Sequence, residues 1–386
     1  MKKKISILGS TGSIGLSTLS IISKKKHLFE VNYLSANKNF KAICNQIIKF
    51  KPKFFIIKDQ ITFNKTKKKF NKSKTKILND FNFKKSIKND ITIAAIPGIA
   101  GLKPTLIAIK FSKKILIANK ESIVCGWNLI KREAFNQKTK IIPVDSEHYS
   151  ILKLIEKEKI NLINKIYLTA SGGPFLNIKK KNLYKIKPED AFKHPKWKMG
   201  KKISVDSSTL MNKMLELVEA EKLFNIPSKK LDILIHPESL VHAIVEFKNG
   251  LKKFLYHETS MIIPIVNAIF ENNLNINDFF QDKVKAVKNL NFQKVNSKTF
   301  PVIKLKKELN KYPSSSIIFN AANEILVDQF LRKKLAFLSI SKTITKIHSD
   351  SNFKKYAIKR PKSINEIINI DRWTRNTIIK KYLKQC

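Results

Sequence analysis

For a chain of 386 residues, cysteine, arginine, glycine and acids are all scarce, with only three cysteines, five arginines and ten glycines. Cys44, Cys125 and Cys386 are odd in number and far apart, which excludes a disulfide framework and any zinc-ligand spacing. They fit free thiols in a reducing compartment. Acids number 29 against 76 lysines and arginines, a formal net charge of +47. All but five of those basic residues are lysine, and they are scattered through every segment. A nucleic-acid reader concentrates basic groups on one face and uses arginine for bidentate contacts, so no specific nucleic-acid partner is expected. The excess reads mainly as drift toward A/T-rich codons, with a weak, salt-sensitive pull on polyanions as its physical consequence. No apolar run reaches the ~18 residues that a membrane span needs, so no membrane partner is expected. The opening "MKKKISILGSTGSIG" runs straight into a strand and a glycine turn. No cleaved leader is expected there, and the cytoplasm is the expected compartment.

The length predicts two or three domains, and a hydrophobic share of 43% is ordinary for a soluble protein. The first third alternates apolar strands ("KISILGS", "VNYLSAN", "KFFIIK", "DITIAAI", "KKILIAN", "KIIPVDS") with helical spans over 14–25 and 40–50. That alternation predicts an α/β protein with an N-terminal, Rossmann-like doubly wound sheet. Residues 63–88, rich in Lys, Asn and Phe, read as a surface insertion. A central α+β unit is expected from "KIYLTAS", "LDILIHP" and "HAIVEFKNG" around one long helix over 209–224. A small helical domain follows. The expected division is 1–145 for a dinucleotide domain, 146–270 for a catalytic domain, 271–300 for a linker and 301–386 for the helical domain.

Gly9-x-x-Gly12-x-x-Gly15 joins the first strand to the first helix, where glycines allow a tight turn and close approach of a pyrophosphate. The hydroxyls of Ser10, Thr11 and Ser13 strengthen the phosphate reading. After the second strand, "SANKN" has no acid for a ribose hydroxyl but carries Lys38, which favours a 2′-phosphate and hence NADP(H). In "PVDSEH", Asp145 and Glu147 alternate, so on an extended segment both face one point, as half of a hard-metal site. In "SVDSSTLMNKMLELVE", Ser207 or Ser208 fits a helix N-cap, and Asn212, Lys213 and Glu216 share a turn. A phosphate could take Ser207, Asn212 and Lys213, while Glu216 is either the third metal carboxylate or a solvated helix charge. Three carboxylates suit Mg2+ or Mn2+. "ASGGPF" offers Ser171 and backbone N–H groups to an anion or is a plain turn, and "HPKWKMGKK" reads as a mobile lid or as a loop whose Trp197 is core.

Together, "GSTGSIG", "ANKES", "PVDSEH", "SGGPF", "HPKWKMGKKISVDSSTLMNK", "HPESLVHAIVEF" and "NAANEI" closely resemble the 1-deoxy-D-xylulose 5-phosphate reductoisomerases, in order and over nearly the whole chain. The resemblance implies an NADPH- and divalent-metal-dependent enzyme that rearranges 1-deoxy-D-xylulose 5-phosphate and reduces the branched aldehyde to 2-C-methyl-D-erythritol 4-phosphate. It implies Asp145, Glu147 and Glu216 as metal ligands, with Mg2+, Mn2+ or Co2+ as the ion. Ser171, Ser207, Asn212 and Lys213 would meet the substrate phosphate and hydroxyls, Lys120 and Ser146 the reacting end, and His194 with Trp197 the lid. Lys120, Glu147 and His194 are the implied catalytic set. Gly9, Thr11, Gly12, Ser13, Ile14, Lys38, Asn39, Asn119, Glu121 and Gly200 would meet the cofactor. A homodimer is implied as well.

The chain departs from the family pattern where "MNKGLE" reads "MNKMLE", placing Met214 for a glycine, and where "GEPDMRTPI" reads "HETSMIIPI" from His257 to Ile265. Pro97 stands in "AAIPGIAGL" where no backbone hydrogen bond can be donated. Two other readings compete. A dehydrogenase acting on another hydroxy or amino acid explains the glycine turn but not three carboxylates beside a phosphate helix. A nucleic-acid-binding protein on a Rossmann scaffold predicts metal-independent, salt-sensitive binding.

Overall fold

The computed structural model describes residues 1–383 apart from 82–87, 179, 195, 198, 272–273 and 281–288, so Cys386 lies outside the described residues. The chain forms two compact units, the first from Met1–Ser122, Asn128–Tyr149 and Ser260–Lys283, the second from Ile123–Trp127, Ser150–Thr259 and Val284–Cys386.

In the first unit, β1 (Lys3–Leu8) buries Ile5, Ile7 and Leu8 and leads into α1 (Ser13–Lys24), which buries Leu19, Ile21 and Ile22. β2 (Phe29–Ala36), α2 (Phe40–Phe50), β3 (Phe54–Ile57), α3 (Gln60–Lys69) and β4 (Lys76–Leu78) follow, then β5 (Asn89–Ala94), α4 (Leu102–Ile109), β6 (Ser112–Ile117), α5 (Lys120–Gln137), β7 (Lys140–Pro143) and α6 (Ser146–Ile155). The sheet order is β4-β3-β2-β1-β5-β6-β7, and every pair is parallel. Strands buried on both faces need near-continuous apolar runs, which "SIL", "TIA" and "ILI" supply. The order reverses between β1 and β5, and such a switch point opens a crevice beyond the carboxyl ends of the strands. The expected insertion at 63–88 is corrected. Part of it is α3, and Lys76–Leu78 pair with β3 as the sheet's edge strand, while 82–87 lie outside the described residues.

The second unit has β8 (Ile163–Ala170), a single-turn α7 (Pro188–Ala191), α8 (Lys201–Ser208), α9 (Met211–Phe224), β9 (Leu231–Ile235), β10 (Val241–Phe247) and β11 (Lys252–Tyr256). The chain then returns to the first unit with α10 (Ile262–Phe270), where Phe270 meets Phe29 edge to face at 5.7 Å. β12 (Gln293–Lys294), α11 (Ser315–Leu331), α12 (Phe337–Lys346), α13 (Phe353–Ala357) and α14 (Ile364–Thr377) complete the second unit. Its sheet runs β11-β10-β8-β9-β12, with β8 and β9 parallel and the other pairs antiparallel. The single helix expected over 209–224 is α9, which starts two residues later at Met211. Leu210 takes φ 65°, in the left-handed region, and breaks α8 from α9. No helix among the described residues is long and apolar enough to cross a membrane.

One half-buried cation helps hold this unit together. The Lys222 ammonium on α9 donates to the carbonyl of Val124 and to Ser316 Oγ at 3.1 Å, and Ser316 Oγ donates to the same carbonyl at 2.9 Å. These bonds fall beside Gly126, whose φ −127° and ψ 16° kink α5 and free carbonyls of the preceding turn. Burial pushes the Lys222 pKa down to about 8 from the usual 10.5. The unfolded chain therefore holds more protons than the folded one between those values, and stability contributed here rises with pH across that window. We expect the unfolding free energy of the protein minus that of Lys222→Met, from urea titrations, to climb between pH 8 and pH 10.5. A flat difference would contradict the lowered pKa of this ammonium.

Candidate active site

The turn between β1 and α1 is shaped by two of its three glycines. Gly9 has φ 83°, and a Cβ on it would lie 2.6 Å from the Ala95 carbonyl oxygen. A Cβ on Gly15 would run into the backbone of Gly9 and Ser10, whereas one on Gly12 would sit at 3.4 Å from Gly9 O, an ordinary contact. Gly12 and Ser13 are exposed at the start of α1, where the first N–H groups point away from the helix. Ser10 does not belong to that anion site. It is buried, and its hydroxyl is shared between Ser35 O at 3.1 Å and Gln46 Oε1 at 2.6 Å. Lys38 is exposed, and Asn39 caps α2 by accepting from Ala42 N at 3.1 Å.

At the other end of the same sheet edge, Asn119 caps α5 by accepting from Ser122 N at 2.6 Å, and its amide donates to the carbonyls of Ile96 and, at 3.0 Å, Gly98. The loop containing Pro97 is thus held by a side chain and needs no donor from the proline. Glu121 is buried in the first turn of α5, where a carboxylate complements the helix dipole. Asp145 follows β7, but Glu147 lies in the first turn of α6, so the two acids are grouped by a strand-to-helix turn and not by an extended segment. Lys120 Nζ stands 3.6 Å from Asp145 Oδ2, and Nδ1 of the fully buried His148 stands 3.3 Å from Asp145 Oδ1. Burial opposes ionisation of Asp145, yet the Lys120 charge and His148 outweigh it and hold the carboxyl well below its usual range. Ser146 Oγ donates to Glu147 Oε2 at 2.6 Å, and Glu147 N donates to Asp145 Oδ1 at 3.2 Å. His148 was not among the sequence candidates. Its only signal is its position three residues after Asp145.

In the second unit, β8 is followed by Ser171 and the turn Gly172-Gly173, with φ 83° and 67°. His194 Nδ1 accepts from Lys196 N at 3.2 Å and Trp197 N at 2.9 Å, which assigns the proton of the neutral ring to Nε2. That nitrogen lies 2.9 Å from Ser171 Oγ, which also accepts from Gly173 N at 3.1 Å. The serine O–H is left to donate outward. Burial lowers the His194 pKa and the Lys213 charge lowers it further, so the ring is neutral at pH 7.

Ser207 and Ser208 lie at the end of α8 and cap nothing. The residue in the N-cap position of α9 is Leu210, with no side-chain bond, which corrects the expected cap. Past that break, Asn212 Nδ2 donates to Glu216 Oε1 at 2.5 Å and Lys213 Nζ meets Glu216 Oε2 at 2.7 Å, with Lys213 and Glu216 both buried. Glu216 is therefore not a solvated helix charge. Met214 is fully buried in the unit's core, and Gly200, at the N-cap of α8, is exposed with open space where a Cβ would be.

A family model described as 1-deoxy-D-xylulose 5-phosphate reductoisomerase matches residues 5–126, and two models of its C-terminal domains match 141–224 and 257–377. The chain is 46% identical over 375 residues to the 1-deoxy-D-xylulose 5-phosphate reductoisomerase of Pelagibacter ubique (strain HTCC1062), covering 96% of this chain and 97% of that protein. The chain belongs to the 1-deoxy-D-xylulose 5-phosphate reductoisomerase family. The enzyme of that name from Wolbachia sp. subsp. Drosophila simulans (strain wRi) is 40% identical over 96% of this chain and 95% of its own. Among solved structures, the reductoisomerase of Zymomonas mobilis in complex with NADPH superposes with TM-score 0.85 at 31% identity, over 99% of this chain and 100% of that one. A reductoisomerase in complex with NADPH, fosmidomycin and magnesium superposes with TM-score 0.89 at 29% identity, over 98% and 99%. The Rossmann-like N-terminal sheet and the C-terminal helices are thus the reductoisomerase fold.

Two outcomes follow from the geometry. Gly9→Ala and Gly15→Ala should each lower the unfolding free energy by about 1–3 kcal/mol, the usual cost of forced backbone strain, while Gly12→Ala should change it by under about 0.5 kcal/mol in the same thermal melts. Lys213→Met should raise the pKa of His194 toward its usual value, read from the ring C–H shifts in an NMR titration, because a positive charge facing the imidazole is removed.

Proposed function

We propose that the protein is a 1-deoxy-D-xylulose 5-phosphate reductoisomerase, binding NADPH and a divalent cation and producing 2-C-methyl-D-erythritol 4-phosphate and NADP+. The observation that carries the reading is the full-length match to reductoisomerases with the acidic and lysine residues of both motif regions in place. Residues 1–145 serve NADPH, 146–270 carry the chemistry, 271–300 link, and 301–386 form the helical domain.

Asp145, Glu147 and Glu216 are the proposed metal ligands. Their donors are all carboxylate oxygens, which fits Mg2+ or Mn2+, with Co2+ also accommodated. When bound, the cation polarises the substrate carbonyl and offsets enolate charge, and NADPH supplies hydride for the reduction. The start of α1 at Gly12, Ser13 and Ile14, with Gly9 and Thr11, receives the cofactor pyrophosphate, Gly12 and Ser13 being exposed there. Lys38 takes the 2′-phosphate, and Asn39, Asn119, Glu121 and Gly200 shape the remaining cofactor surface. Asn119 acts by holding the Ile96–Gly98 loop, since its amide is spent there.

Substrate phosphate and hydroxyls fall to Ser171, Ser207, Asn212 and Lys213. Neutral His194 keeps Ser171 Oγ as a donor, so the serine presents a proton to an anion and never a lone pair. Lys120 Nζ, charged beside Asp145, holds a proton at the reacting end together with Ser146. Trp197 and His194 belong to a lid that excludes water, so that fragments of a cleaved carbon skeleton stay in place.

The protein acts in the cytoplasm as a homodimer that pairs through the β10–β11 region. Support for the dimer comes from edge strand β11, where Phe254 and Tyr256, with Leu251 just before the strand, expose apolar surface at the sheet margin. The buried cysteines Cys44 and Cys125 suit a reducing compartment.

The test is loss of NADPH absorbance with 1-deoxy-D-xylulose 5-phosphate, with and without Mg2+ or Mn2+. Turnover should require the ion, and Glu216→Gln should lower kcat/KM by at least about 100-fold, the scale of losing a group that orients transition-state charge. Folded protein that binds NADPH but leaves this substrate untouched would contradict the assignment.

A further inference from the structure

His257 stands where the family pattern has a glycine, and it makes a contact that a glycine cannot. Its ring lies against that of His242 from β10, with centroids 3.8 Å apart and planes 17° from parallel. Both rings are buried, at 9% and 2% exposure. His257 Nδ1 lies 2.8 Å from Glu258 O, so it carries the ring proton and donates, and Nε2 is left buried with no hydrogen-bond partner. Burial favours the neutral ring of His257, which can stack without charge repulsion. His242 is fixed a second time, since its Nε2 lies 3.1 Å from the His257 carbonyl and donates to it. On its other side, His242 meets Trp197 edge to face at 6.1 Å and 71°. Trp197 N in turn donates to His194 Nδ1, the ring that bonds Ser171.

Three aromatic rings therefore run from a loop after β11 to the tryptophan of the 194–200 segment, entirely within the second unit. A buried imidazole nitrogen without a partner disfavours the fold, so the ring is not explained by stability alone. We propose that His257 is a positioning residue: stacked on His242, it sets the resting place of Trp197 and so improves capture of the phosphosugar. The inference rests on reading Trp197 as a substrate lid. It acts on binding rather than on the chemical step, so its loss should raise KM and spare kcat.

The experiment compares the full-length protein with His257→Phe, His257→Gln and His257→Gly, with NADPH and Mn2+ saturating and 1-deoxy-D-xylulose 5-phosphate varied. Acrylamide quenching is measured in parallel, each variant against its Trp197→Phe counterpart, so that the signal of Trp197 alone is read. In His257→Gln and His257→Gly, KM should rise about three- to tenfold, the size of one lost aromatic pair, with kcat changed less than about twofold. Trp197 should become more accessible to quencher in both. His257→Phe, which keeps a ring, should restore both values. Unchanged KM and quenching in the glutamine variant would overturn the proposal, as would a phenylalanine variant as impaired as the glutamine one. If the unaltered protein does not turn over this substrate, the assigned function falls, and the quenching series alone decides for or against the positioning of Trp197 by His257.

Discussion

A buried carboxylate needs positive charge close by, and in this protein lysine supplies it at the proposed metal ligands. Lys120 and His148 hold the Asp145 carboxyl well below its usual range, and Glu216 is paired with Lys213 and the Asn212 amide. Desolvating a lone acid costs several kcal/mol, so carboxylates in such places are costly to bury without partners of this kind. The same lysines are cationic neighbours for a phosphate or an oxyanion. In the proposed reading, one arrangement meets two demands, carboxylate oxygens for a metal and positive charge for the substrate.

The backbone places those groups. Parallel strands deliver their carboxyl ends and the following helix starts to one edge of the first sheet, and the glycine turn, the Asn119 cap and the Asp145 turn all lie there. In the second unit the break at Leu210 separates α8 from α9 and starts a new helix one residue before Asn212. A single unbroken helix would place Ser207 and Asn212 on a fixed 3.6-residue spiral; the break frees that relation. Ser171 gains its donor role in the same local way, by having both lone pairs occupied by His194 and Gly173.

Much of this was legible in the residues. The apolar strands, the bounds of α2 and the glycine turn are set by local pattern, and α2 runs from Phe40 to Phe50 as expected. The three carboxylates were legible as types and spacing, and the resemblance assigned them to one site. What was not legible depends on contacts distant in sequence. Lys76–Leu78 are too short for periodicity and become a strand only by pairing with β3. Ser10 looked like a phosphate ligand until Gln46 claimed its hydroxyl, and a leucine in the left-handed region gives no sequence warning. The alternation of Asp145 and Glu147 suggested an extended segment, yet the intervening Ser146 starts a helix. His148, fully buried beside Asp145, was passed over because a single histidine carries little signal without its neighbour.

The central proposal is that three carboxylates from separate stretches of the chain are ligands of one divalent ion. Crystals grown with Mn2+ and NADPH, with data collected to record the anomalous signal of manganese, test it most directly. A single strong peak bonded to oxygens of Asp145, Glu147 and Glu216 together is the predicted result. A peak bound by Asp145 and Glu147 alone, with Glu216 still paired to Lys213 and Asn212, would contradict it.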